Sequence, residues 1–237
     1  MSKATSHTPE TTLAPATTGG RACAPETSVT RSLLGYGVIA GPLYVTVSLV
    51  QALTRDGFEL TKHPWSLLAN GPWGWIQIAN FIVCGAMVVT FAAGLRRVLR
   101  PGPGSRWVPV LFAGYGAGLI GAGLFRADPT MGFPPGTPAG PGTVSWHGML
   151  HLGMAGIGFG CLIAAGFVVA RRLSSDGRRG WAVYSRVTAV VFLLGFVGVA
   201  SGGGNVAANL AFIAAVLFAW TWISALSVHY YNQTTAA

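Results

Sequence analysis

The chain has 237 residues, 51% of them hydrophobic and only 9% charged, and a formal net charge of +9. A soluble domain carries roughly a quarter charged residues, so this composition leaves too little polar surface for a soluble globule, and hydrocarbon is the expected solvent. Three cysteines with no CxxC pair exclude a disulfide framework.

Residues 1–30 are rich in Thr, Ala, Pro and Gly and have no apolar periodic face, which predicts a disordered cytoplasmic tail. No apolar h-region follows the start, so no cleavable signal peptide is expected, and Cys23 reads as an ordinary tail cysteine. A six-helix transmembrane domain is expected over residues 31–230, with a short C-terminal tail at 231–237. A spanning helix needs about 20 apolar residues, because the hydrocarbon core is about 30 Å thick and each residue rises about 1.5 Å. Six windows meet that demand: 33–53, 75–95, 107–125, 144–170, 181–200 and 206–228. They are continuously apolar, not alternating, which excludes a β-barrel. The expected fold class is therefore all-α, a polytopic membrane bundle of six helices. Trp73, Trp75, Trp107, Trp146, Trp181, Trp220 and Trp222 fall at or near window boundaries, where an indole suits the headgroup layer. Cys84 and Cys161 lie inside windows and behave as small hydrophobes. Gly114 and Gly118, and likewise Gly156 and Gly160, are spaced four apart, which lets helix backbones approach closely. Such faces serve packing within one bundle or the seam of a homo-oligomer.

Basic residues orient the windows. The second connection holds Arg96, Arg97, Arg100 and Arg106; the fourth holds Arg171, Arg172, Arg178 and Arg179, with Arg186 just inside the next helix. Lys3, Arg21 and Arg31 precede the first helix. Only Arg55, Lys62 and Arg126 fall in the first and third connections, beside Asp56, Glu59 and Asp128. Twelve of the fifteen Lys and Arg thus share one side, and the positive-inside rule makes it cytoplasmic. Both termini are then cytoplasmic, and the odd connections face out of the cell membrane. The same asymmetry accounts for the net charge: attraction to anionic lipids of the inner leaflet explains it, and nucleic acid is excluded as a partner.

With that orientation the strongly polar residues gather on the extracytoplasmic side. Gln51 ends the first helix, Gln77 and Asn80 lie three apart in the second, His147 and His151 four apart in the fourth, and Asn205 and Asn209 four apart in the sixth. These spacings put each pair on one helical face. Unpaired amides and imidazoles are costly in lipid, so the pairs are expected to line an outward-facing pocket or to hydrogen-bond between helices. The proline-rich segment from Arg126 to Gly142 cannot be helical and is expected to cap this end, with Asp128 above the two histidines or paired with Arg126. Two histidines four apart can share a metal. His147, His151 and Asp128 are therefore a candidate zinc site, with Asp56, Glu59 and His63 as further candidate ligands, and a bound zinc would activate water for hydrolysis.

Gly41-Pro42, Ser66-Leu67-Leu68, Gly71, Gly74-Trp75, Gln77 and Asn80-Phe81 are followed in order by Gly118-Leu119, Phe125 to Pro129, Gly132, Pro134-Pro135-Gly136 and His147 to His151. Together they resemble a bacterial six-helix integral membrane family catalogued as a domain of unknown function, number 998. The resemblance covers approximately residues 31–230; it implies the six-helix fold and supplies no reaction. The sequence reading is thus a multi-pass membrane protein whose extracytoplasmic polar pocket, built from Gln77, Asn80, Asp128, His147, His151, Asn205 and Asn209, binds a lipid headgroup or small solute. A membrane-embedded metal-dependent hydrolase using His147, His151 and Asp128 is the alternative, and a small-solute transporter the second. Against the transporter, no Asp, Glu, Lys or Arg lies near a helix midpoint.

Overall fold

The computed structural model describes residues 25–201 and 204–234. Six helices are present: α1 (Pro25–Thr54), α2 (Gly74–Val98), α3 (Trp107–Leu124), α4 (Trp146–Ser175), α5 (Arg179–Ser201) and α6 (Val206–Gln233). A short 3-10 helix, Trp65–Ala69, lies in the first connection. Each of the six is long and apolar enough to cross a membrane. Among the described residues there is no strand, so the chain is an all-α, multi-pass membrane protein.

Several helix ends run beyond the apolar windows. The expected tail at 1–30 lies outside the described residues up to 24, and residues 25–30 already belong to α1. Proline at the first helical position is pre-organised for a helix and needs no N–H there. Glu26 in the first turn complements the helix dipole. Residues 231–233 of the expected C-terminal tail likewise continue α6. The two ends hold each other: Arg31 donates to Tyr231 Oη at 3.0 Å, its guanidinium 4.6 Å from that ring's centre.

Each helix packs against its neighbours in sequence, and α6 returns to α1, so the six form a closed ring. The ring closes tightly where side chains are smallest. A Cβ on Gly85 would lie 2.6 Å from Gly116 O, and one on Gly118 would lie 2.6 Å from Gly158 Cα, so α2, α3 and α4 touch backbone to backbone. Gly118 is thereby consumed inside the bundle. Gly156 and Gly160 face open space.

The closing seam between α6 and α1 turns on Pro42. Proline has no N–H, so the carbonyl four residues back, Val38 O, loses its intrahelical donor. Ser224 of α6 supplies one, its hydroxyl 3.2 Å from Val38 O, and Ser227 donates to Leu34 O one turn away.

Trp73, Trp75, Trp107 and Trp146 are well exposed and fit boundary anchors. Trp220 and Trp222 do not: they are 2% and 0% exposed, in the middle of α6, where Trp222 stacks on Phe112 at 5.7 Å. Their placement corrects the boundary reading. Extension of α6 to Gln233 moved the true helix end about one and a half turns past the apolar window.

The first, third and fifth connections meet at one end of the ring. Phe133 of the third is fully buried against Phe58 and His63 of the first, with Arg55 over its ring. Arg55 also donates to Leu68 O and Asn70 O, so the proline-rich segment and the 3-10 helix make one cap.

Candidate functional site

Gln77 and Asn80 face α1. Gln77 Oε1 accepts from Gln51 Nε2 at 2.8 Å, and Gln77 Nε2 donates to Ser48 Oγ at 3.1 Å. Asn80 Nδ2 donates to Tyr44 O at 3.1 Å and to Ser48 Oγ at 3.2 Å, while its Oδ1 accepts from the Cys84 thiol. Both amides are buried, and their polar atoms are spent on fixing α1 against α2. Of the two roles open to them, interhelical bonding is the one realised.

Asp128 sits at the start of α4. Its Oδ2 accepts the Ser145 N–H at 2.7 Å and its Oδ1 the Ser145 hydroxyl at 2.5 Å. Ser145 in turn accepts the Gly148 N–H as the helix N-cap. A carboxylate here also complements the positive end of the helix dipole. Asp128 therefore pairs with Ser145 rather than with Arg126.

The two histidines part company. His147 lies against Trp146, ring centres 3.7 Å apart, with its Nδ1 buried and unpartnered. His151 is buried, and its Nδ1 lies 3.0 Å from Ala122 O and 2.8 Å from Phe125 O. Both partners are carbonyls, so Nδ1 carries a proton, and in the Nδ1–H tautomer Nε2 is an acceptor. Among the described residues no group of three His, Cys, Asp or Glu could hold a metal ion. His147, His151 and Asp128 are not brought together as a site. His63 is spent in the cap: Nδ1 accepts the Glu59 N–H at 2.9 Å, leaving Nε2 to donate to Met131 O at 3.0 Å.

Asn205 is the N-cap of α6, accepting from the Ala208 N–H at 3.1 Å. Asn209 donates to Leu60 O at 2.9 Å, tying α6 to the cap. Of the seven pocket residues expected from sequence, His151 alone lines the cavity described next.

That cavity, about 230 Å3, lies inside the ring beneath the cap, and all six helices contribute to it. Tyr44, Tyr115 and Trp220 form its floor, ring centres 5.0 and 5.8 Å apart around Trp220. Phe159, Phe192, Phe196 and Phe212 pack edge to face along one wall. Pro64, Trp65 and Ser66 roof it, and His151 and Phe81 form the opposite wall. No Asp, Glu, Lys or Arg lines it.

The cavity opens sideways. Leu152 and Ala155 of α4 and Val199 and Ala200 of α5 line its edge; Leu152 is 65% exposed and Ala200 is exposed. Further down, the same two helices are in contact, a Cβ on Gly166 lying only 2.8 Å from Ala189 Cβ. Above that point Phe159 of α4 meets Phe192 and Phe196 of α5 edge to face. This edge of the cavity therefore faces what surrounds the bundle, in the helical turns nearest the cap.

A family model described as "Protein of unknown function (DUF998)" matches residues 38–229. No curated protein and no solved structure matches the chain.

Proposed function

The chain belongs to the DUF998 family of proteins of unknown function, and from this six-helix member we propose that the family's fold, here, serves to take up a lipid-like molecule from the bilayer through the gap between α4 and α5. The observation that carries the reading is an aromatic cavity within the span, open at the side and free of charged walls. An apolar cavity of about 150 Å3 already takes up benzene, so one of about 230 Å3 suits part of a single alkyl chain. The sequence reading of a polar pocket for a headgroup or solute shifts accordingly, because the amides that suggested it bond between helices. We also assign the capped end to the extracytoplasmic side of the cell membrane, on the support of the twelve basic residues at the opposite end and in the N-terminal segment.

Photolabelling tests the reading. With the protein in lipid nanodiscs, an alkyl diazirine without a headgroup is expected to mark peptides around Leu152, Val199 and Ile213. Ala155→Phe fills the mouth and should cut that labelling severalfold while the thermal unfolding temperature holds. Labelling spread evenly over all six helices, unchanged by Ala155→Phe, would refute a specific site.

A further inference from the structure

We infer that the occupant of this cavity is an uncharged, single-chain amphiphile ending in a hydroxyl group, an inference that rests on reading the cavity as a lipid site. Three features of the walls carry it.

The first is charge. A phosphate, carboxylate or ammonium inside the ring would leave water and meet no opposite charge, since no ionised side chain lines the space. Such burial is strongly unfavourable without a partner. The second is hydrogen-bond polarity. His151 Nδ1 is held as a donor by the Ala122 and Phe125 carbonyls, so Nε2 offers a lone pair to which no described residue donates. The matching ligand group is a donor. A hydroxyl donates there without carrying a charge. An ether or ester only accepts, and an alkyl amine or fatty acid is charged near neutral pH. The third is depth. His151 is five residues into α4, about 7 Å from its start at about 1.5 Å per residue, near the interface, whereas Tyr115 and Trp220 lie toward the middle of their helices. The polar end belongs beside His151, and the chain points inward to the aromatic floor. A volume of about 230 Å3 takes part of one chain and not two chains.

The test uses the full-length protein in nanodiscs and four dodecyl diazirines ending in hydroxyl, methoxy, carboxylate or trimethylammonium. Labelled peptides are mapped by mass spectrometry, with dodecanol as competitor. The alcohol is expected to label the peptides around Leu152 and Val199 about tenfold more than the methyl ether, the worth of one good hydrogen bond. His151→Asn should erase that preference, because its amide nitrogen can still reach the Ala122 and Phe125 carbonyls while nothing replaces Nε2. Should that variant fail to fold, the alcohol-to-ether ratio on the unaltered protein decides alone. Equal labelling by alcohol and ether, or stronger labelling by either charged probe, overturns the headgroup assignment and leaves the lipid site standing. Absence of cavity labelling by all four probes overturns both.

Discussion

At Gly148 an added Cβ would sit 2.0 Å from Asp128 Oδ2, a separation no side chain can occupy. In an open helix Gly→Ala is stabilising by about 1 kcal/mol. Here the sign should reverse: Gly148→Ala is expected to destabilise the protein by roughly 1–3 kcal/mol, as overpacking does. Adding Asp128→Ala removes the obstacle, so the double variant should be less destabilised than the two singles summed. Thermal unfolding in mild detergent reads both. This contact explains two of the motifs quoted from the sequence. Asp128-Pro129 and Gly148 are three-dimensional neighbours through the cap of α4, joined by Ser145. Their spacing in the chain could not reveal it, because the intervening proline-rich segment folds over the first connection before it returns. The same residues had suggested a metal set. Two histidines four apart do share a side of α4, yet His147 stacks on Trp146 while His151 points its Nδ1 at the end of α3.

The α1–α6 seam shows how one element compensates for a flaw in another. Pro42 deprives Val38 O of its usual donor, and Ser224 restores one from across the seam. Ser224→Ala should therefore cost roughly 1–3 kcal/mol, the penalty of a buried unpaired acceptor. In a Pro42→Ala background the helix makes its own bond and the same change should cost markedly less. A double-mutant cycle of denaturant unfolding in micelles measures that coupling. The Gly41-Pro42 pair was visible in the sequence as a mark on the first helix; its partner was not, since Ser224 is remote in the chain. Gln77 and Asn80 teach the same lesson. A spacing of three says that two amides share a face, but not whether that face meets water, a ligand or a neighbouring helix. The face meets Ser48 and Gln51 of α1.

For the molecule as a whole, the closed ring separates a capped end from an arginine-rich end. On a background lacking Cys23, Cys84 and Cys161, Ala139→Cys in the third connection is expected to react with a membrane-impermeant maleimide on intact cells. Ser174→Cys, at the end of α4, should react only after the cells are opened; the reverse pattern would invert the assigned orientation. Ring closure also creates the cavity. Six helices packed each on the next enclose a centre that no adjacent pair encloses, and its floor is made by residues from α1, α3 and α6.

The amino-acid sequence by itself determined the membrane as solvent, the number of spans and their approximate limits, and its ordered motifs carried the family. The spans follow from long-range averages of apolar length and charge content, which depend on solvent and not on neighbours. Only the tertiary structure decided which polar groups are satisfied and which line a space. A hydrogen bond depends on the position of a partner from another helix to within a fraction of an ångström, and helix rotation about its axis sets that position. In a helix apolar all round, as these are, periodicity says little about rotation. Gln77, Asn80 and Asp128 were therefore turned to structural tasks, while Tyr115 and Phe159, unremarkable among many aromatics, and Trp220, expected at a boundary, were turned inward to line the cavity.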